Sequence, residues 1–184
     1  MLTANQPIIG SLFFLGAAQF VIAMVIAEAR FPGYNVGSNA ISDLGVGRTA
    51  HLFNASIIVF GTAIVCGALI GQGFFGVVPT LFIVLADIGA VGVGVFPETT
   101  GKLHLCCALV AFLFGALSAI SAFSHEGVPL AYYSAVLGII SLAALVSLVS
   151  KHLHGLGFGG MERLVAYPII LWALGIGSFL LSSS

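Results

Sequence analysis

The sequence predicts an all-α polytopic membrane protein, a compact bundle of six transmembrane helices in one domain spanning 1–184. Three observations predict it. First, 60% of the 184 residues are hydrophobic and only 6% are charged, with a mean hydropathy of +1.20. A soluble domain carries about 25% charged residues, and five Lys+Arg with six Asp+Glu are too few to solvate a surface of this size. Second, the apolar residues fall into six runs, each close to the roughly 20 residues a helix needs to cross the hydrocarbon core. Third, the runs show neither helical periodicity nor strand alternation. They are apolar on all sides, as lipid-embedded helices are, and they exclude a β-barrel.

The six spans are expected at 7–28, 49–71, 77–96, 103–124, 129–150 and 163–181. Phe31-Pro32-Gly33 ends the first, and Gly71-Gln72-Gly73 separates the second from the third. Pro97 closes the third, Gly127-Val128-Pro129 lies between the fourth and fifth, and the glycines of Gly155–Gly160 are read as the break before the sixth. Gly and Pro at these points interrupt helices for backbone reasons. The first run lacks a basic leader, so a membrane helix is expected there and not a cleaved signal.

Charge assigns the sides. Arg30, Arg48, Lys102, Lys151 and Arg163 all fall in or beside the first, third and fifth connections. The other side, with both termini, has no Lys or Arg in its connections. The positive-inside rule then places the charged loops in the cytoplasm and both termini outside a cell membrane. With a net charge of −1 and no basic stripe, no nucleic-acid partner is expected.

Several local patterns carry no chemistry in this context. Gly155-Leu-Gly-Phe-Gly-Gly160 matches a dinucleotide fingerprint but follows no strand. Asn54-Ala-Ser56 matches a glycosylation sequon but lies inside a span. Cys66, Cys106 and Cys107 are odd in number and lie within spans, so no disulfide framework is implied. Gly67-Ala-Leu-Ile-Gly71 reads as a small-residue packing face within the bundle.

Polar residues concentrate in the charged loops. The first loop, 30–48, is the longest, and its glycines could build an anion-binding nest. It contributes Asn39, Ser42, Asp43 and Arg48, with His51 and Asn54 just beyond. The third connection adds Glu98, Lys102 and His104, and the fifth adds His152 and His154 beside Glu162. His51 or His104 could act as a general base oriented by Asp43 or Glu98, with Ser42 alongside. Arg48, Lys102, Asn39 and Asn54 are candidates for holding a lipid head group. No cofactor is expected. His51, His104 and His152 are the residues that a metal would draw on, but their spacing matches no metal motif and no metal is assigned. Lys and Arg near helix ends are expected to snorkel to the interface.

Within the membrane, Asp87 is the acid nearest the centre of a span. An Asp there costs roughly 2.5–3.5 kcal/mol on insertion scales, so it is expected to face the bundle interior. Gln19, Thr62 and Ser141 lie at similar depth. A protonated Asp87 hydrogen-bonded to one of them would be a structural clasp, and proton transfer through Asp87 is the alternative.

Asn39-Ala-Ile-Ser-Asp-Leu-Gly45, then His51-Leu-Phe-Asn54, Gly94-Val-Phe-Pro97 and His104 together resemble the prokaryotic membrane-protein family catalogued as domain of unknown function 998. The resemblance covers most of the chain and implies about six membrane helices. Ile-Ser-Asp-Leu-Gly is also similar to the first-loop motif of the Frag1/DRAM/Sfk1 membrane family, which is linked to lipid and GPI-anchor handling. The H-x-x-x-H pair of membrane hydrolases related to alkaline ceramidase is missing. The expectation is an integral membrane protein whose partners are membrane lipids, with other membrane subunits as further partners. It acts as a non-catalytic lipid-binding bundle or an accessory subunit. A lipid head-group enzyme and a small proton-coupled transporter using Asp87 are the alternatives.

Overall fold

The computed structural model describes residues 5–183. Among them every regular element is helical: α1 (Gln6–Arg30), α2 (Ala50–Ile70), the single turn α3 (Gln72–Phe75), α4 (Val77–Val95), α5 (Lys102–Ala122), α6 (Leu130–Val149) and α7 (Gly157–Ser182). Short 3-10 turns occupy Ser42–Gly45, Gly47–Thr49 and Glu98–Thr100. All but α3 are long and apolar enough to cross a membrane. The expected all-helical, six-span architecture is therefore present.

The spans form a ring in chain order, each packed on the next, with α7 closing back onto α1. The first, third and fifth connections meet at one end, the loop end. The start of α1, the end of α7 and the other two connections lie at the opposite end, where Gly10 abuts Gly177 and Gly76 abuts His125. All five Lys and Arg belong to the loop end.

Glycine sits in every seam of the ring. A Cβ on Gly67 of α2 would meet the Phe13 ring of α1 at 2.9 Å, and one on Gly61 would meet the Asp87 carbonyl of α4 at 2.7 Å. Gly89 faces the Cys107 carbonyl of α5 in the same way, Gly138 of α6 the Ala116 carbonyl, and Gly177 of α7 the Phe14 amide. Gly175 lies against the Tyr133 ring of α6. Between helices in lipid there is no hydrophobic drive, so close van der Waals approach over small residues must hold the seams. The G-x-x-x-G stretch belongs to this internal packing. Cys66, Cys106 and Cys107 are free thiols.

One boundary differs from expectation. α7 starts at Gly157, not near residue 163. Of the glycines read as a break, Gly157, Gly159 and Gly160 form the first turn of this helix and its contact with the first loop. The Gly159 amide donates to the Gly37 carbonyl at 2.9 Å, and a Cβ on Gly159 would run into the Asn39 carbonyl. Only glycine lets the loop backbone lie directly on the helix there.

Candidate functional site: a cavity with one polar end

The first loop is a folded plug. Ala40, Ile41 and Leu44 are buried, the last completely. Arg163, one turn beyond Gly159 on α7, holds the loop in place. Its Nη1 donates to the carbonyls of Val36, Asn39 and Gly159, each at 3.0 Å. Its Nη2 donates to Glu28 Oε1 at 2.7 Å and to the Tyr34 hydroxyl at 2.5 Å. The guanidinium also sits 5.4 Å from the centre of the Tyr34 ring. Tyr34 in turn donates to the Ala40 carbonyl at 2.9 Å, and burial pushes its phenol up to about 12. The adjacent Glu162 accepts from the Ile41 amide through Oε2 at 2.5 Å. Arg163 is only 5% exposed. It does not snorkel, because the loop carbonyls need its donors.

Beneath the plug the ring encloses a cavity of about 840 Å³, counting the part that opens outward. α1, α2, α4, α5 and α7 line it, while α6 packs outside on α5 and α7. The wall is overwhelmingly apolar, with Phe20, Phe53, Phe60 and Trp172 among the large side chains. Ser42, His104 and Glu162 are the polar groups at the loop end; Asp87 stands further in, as does Ser118, whose hydroxyl donates to the Gly115 carbonyl at 2.7 Å. Asp87 is eight residues up α4 from Val95, about 12 Å at a helical rise of 1.5 Å per residue.

The structure brings together some of the residues singled out from sequence. Ser42 and His104 both line the cavity. His104 Nδ1 is 2.8 Å from the Phe96 carbonyl. A carbonyl only accepts, so Nδ1 carries the proton and Nε2 keeps its lone pair in the neutral ring. The orienting group for His104 is thus this backbone carbonyl, not Asp43 or Glu98. Those two carboxyls instead pair with each other, and Asn39 Nδ2 donates to Asp43 Oδ2 at 2.7 Å. Glu98 is raised to about 7 by burial and by the neighbouring Asp43, a contact that links the third connection to the first loop.

Other candidates lie apart. Arg48, Lys102, His51 and His152 are exposed and do not line the cavity. Asn54 spends its amide on the Gly45 carbonyl at 3.1 Å, fastening the plug to α2. His51, His104 and His152 do not converge, and among the described residues no group of three or more His, Cys, Asp or Glu could hold a metal ion.

The expected clasp on Asp87 is not formed. Gln19 donates to the Gly16 and Ser56 carbonyls, each at 2.9 Å, and Ser141 donates to the Val165 carbonyl at 2.8 Å. Backbone carbonyls, including those of Ser56 and Val165 on neighbouring helices, take up these side chains. Among the described residues Asp87 has no hydrogen-bond or ion-pair partner, though it is only 6% exposed.

A second polar chain reaches the cavity wall from the opposite end. Trp172 Nε1 donates to Ser134 Oγ at 2.8 Å, and Ser134 donates to Glu126 Oε2 at 2.5 Å. Trp172 and Ser134 are buried. Sequence reasoning missed this chain, as it missed Glu28, Tyr34 and the anchoring role of Glu162 and Arg163. One signal was available: Glu28 puts an acid in the last turn of α1, where the helix dipole favours a base, which marks a residue held by something else.

A ring of membrane-spanning helices plugged at one end over an apolar cavity defines a polytopic helical membrane protein. The particular family follows from comparison with known proteins. A family model described as Protein of unknown function (DUF998) matches residues 14–178, and the chain belongs to this family. No curated protein and no solved structure matches the chain.

Burial raises Glu126 to about 7, with the Ser134 hydrogen bond opposing. A folded value above the unfolded one means that the native state favours the protonated form. Stability therefore falls as pH rises from the unfolded value of about 4.5 through about 7. Glu126→Gln keeps an acceptor for Ser134 and removes this titration. Thermal melts should show a variant more stable than the parent near about pH 8, with the gap closing near about pH 5. A gap independent of pH would rule out Glu126 as the titrating group.

Proposed function

We propose that this protein is a lipid-binding membrane bundle whose central cavity takes the apolar chain of an amphiphile, with the polar end held by the cavity's polar side chains, Ser42, His104 and Glu162 at the loop end and Asp87 further in. The cavity wall carries this reading. Five helices contribute an almost wholly apolar lining, with Ser42, His104 and Glu162 gathered at one end. Small-molecule sites likewise combine an apolar wall with a few placed polar groups.

The orientation follows the charge distribution. With all five Lys and Arg at the loop end, we place that end in the cytoplasm. In a cysteine-free background, Gly127→Cys should react with an impermeant maleimide added to intact cells and Lys151→Cys should not. The reverse labelling pattern would invert the assignment.

Trp172 is the sole tryptophan, lines the cavity and is 2% exposed. Bromine quenches indole only at contact, so a brominated chain in the surrounding bilayer leaves it bright. In phosphatidylcholine nanodiscs, ω-bromododecanol should quench Trp172 saturably. Ala108→Phe, or Ala90→Leu if that variant fails to insert, fills the cavity and should abolish quenching. Ala143→Phe, on the exposed face of α6, should leave it intact. Absent quenching in the parent, or equal quenching in the filled variants, would refute the reading.

A further inference from the structure

Asp87 indicates which amphiphiles the cavity selects. Asp87 is a buried residue that lines the cavity and has no hydrogen-bond or ion-pair partner among the described residues. Buried acids are ordinarily paired. Of the polar side chains at similar depth, Gln19 and Ser141 are occupied by backbone carbonyls and Thr62 is exposed on the outside of α2. The cavity is the side from which a partner reaches Asp87.

The charge around it has one sign. The titratable lining residues are Asp87, Glu162 and His104, with no Lys or Arg among them. Arg163, the nearest fixed cation in sequence, is turned to Glu28, Tyr34 and the loop carbonyls. An anionic head group would meet two acids without a compensating base. A protonated amine would meet acids of opposite charge in a wall otherwise made of aromatic and aliphatic side chains. Phe20, Phe53, Phe60 and Trp172 supply ring faces, to which a desolvated cation is also attracted.

Building on the lipid-binding reading above, we propose that the cavity is selective for cationic amphiphiles, and that Asp87 is the residue that recognises the ammonium group of a long-chain amine. Selection rests on charge pairing at low dielectric, where a charge-assisted hydrogen bond is worth far more than in water.

The test uses three probes of one chain length in phosphatidylcholine nanodiscs: ω-bromododecylamine, ω-bromododecanol and ω-bromododecanoate, each read by Trp172 quenching. The amine should bind at least about tenfold more tightly than the alcohol, and the carboxylate more weakly than either. Asp87→Asn should remove the amine's advantage over the alcohol while leaving alcohol binding unchanged, which also shows that the variant is folded. Equal affinity of the parent for all three probes, or an amine preference that survives Asp87→Asn, would overturn the assignment. The alcohol arm separates the two readings. If the alcohol binds and the amine has no advantage, the cavity reading stands and the charge selection fails. If none of the three quenches, the cavity reading itself fails.

Discussion

The arrangement at the loop end depends on one buried guanidinium. Arg163 spends both terminal nitrogens on five acceptors: three backbone carbonyls, a phenol and the Glu28 carboxylate. Its ion pair with Glu28 is the one salt bridge among the described residues. A planar fork of fixed donors suits this task in a way that the point charge of a lysine would not. The pair joins the end of α1 to the start of α7, which are the two helices that close the ring. The carbonyls it binds belong to the segment that covers the cavity. Breaking a buried pair from one side costs roughly 3–5 kcal/mol, because the remaining charge is left unmatched. The plug and the ring closure therefore share a single fastening.

The rest of the ring is held by a different kind of force. Apolar side chains gain nothing by leaving lipid for a helix interface, so the seams rely on backbones brought close at glycines. Such packing fills the seams but leaves the centre, where Phe20, Phe53, Phe60 and Trp172 surround a cavity. Three of the polar groups facing it are positioned by a neighbour. The Phe96 carbonyl orients His104, the Ile41 amide holds Glu162, and Ser134 fixes the indole of Trp172. Asp87 has no such neighbour, and on this rests the proposed preference for cationic amphiphiles.

The fold was legible in the sequence because its signal is compositional. Long apolar runs separated by Pro and Gly have one solution in lipid, since every backbone group must be satisfied within its own segment. The interior position of Asp87 was legible for the same reason. Ser42 and His104 were found by their chemistry, and the structure places both on the cavity. The anchoring of the plug was not legible. Glu28 and Arg163 are far apart in sequence, and nothing local distinguishes an arginine that snorkels from one that turns inward to bind carbonyls. The run Gly155–Gly160 was misread because a glycine that breaks a helix and one that admits a neighbouring backbone look alike until the neighbour is known. The Glu126–Ser134–Trp172 chain was hidden likewise, as each member alone is an ordinary residue near a helix end or inside a span.

The account is tested most directly at Arg163, by hydrogen exchange read by mass spectrometry on the parent and on Arg163→Gln in nanodiscs. If the guanidinium fastens the plug, peptides covering residues 34–44 should lose protection in the variant, while those within α2, α4 and α5 keep theirs. Unchanged protection across 34–44 would contradict it, and would mean that the loop stays over the cavity without its buried arginine.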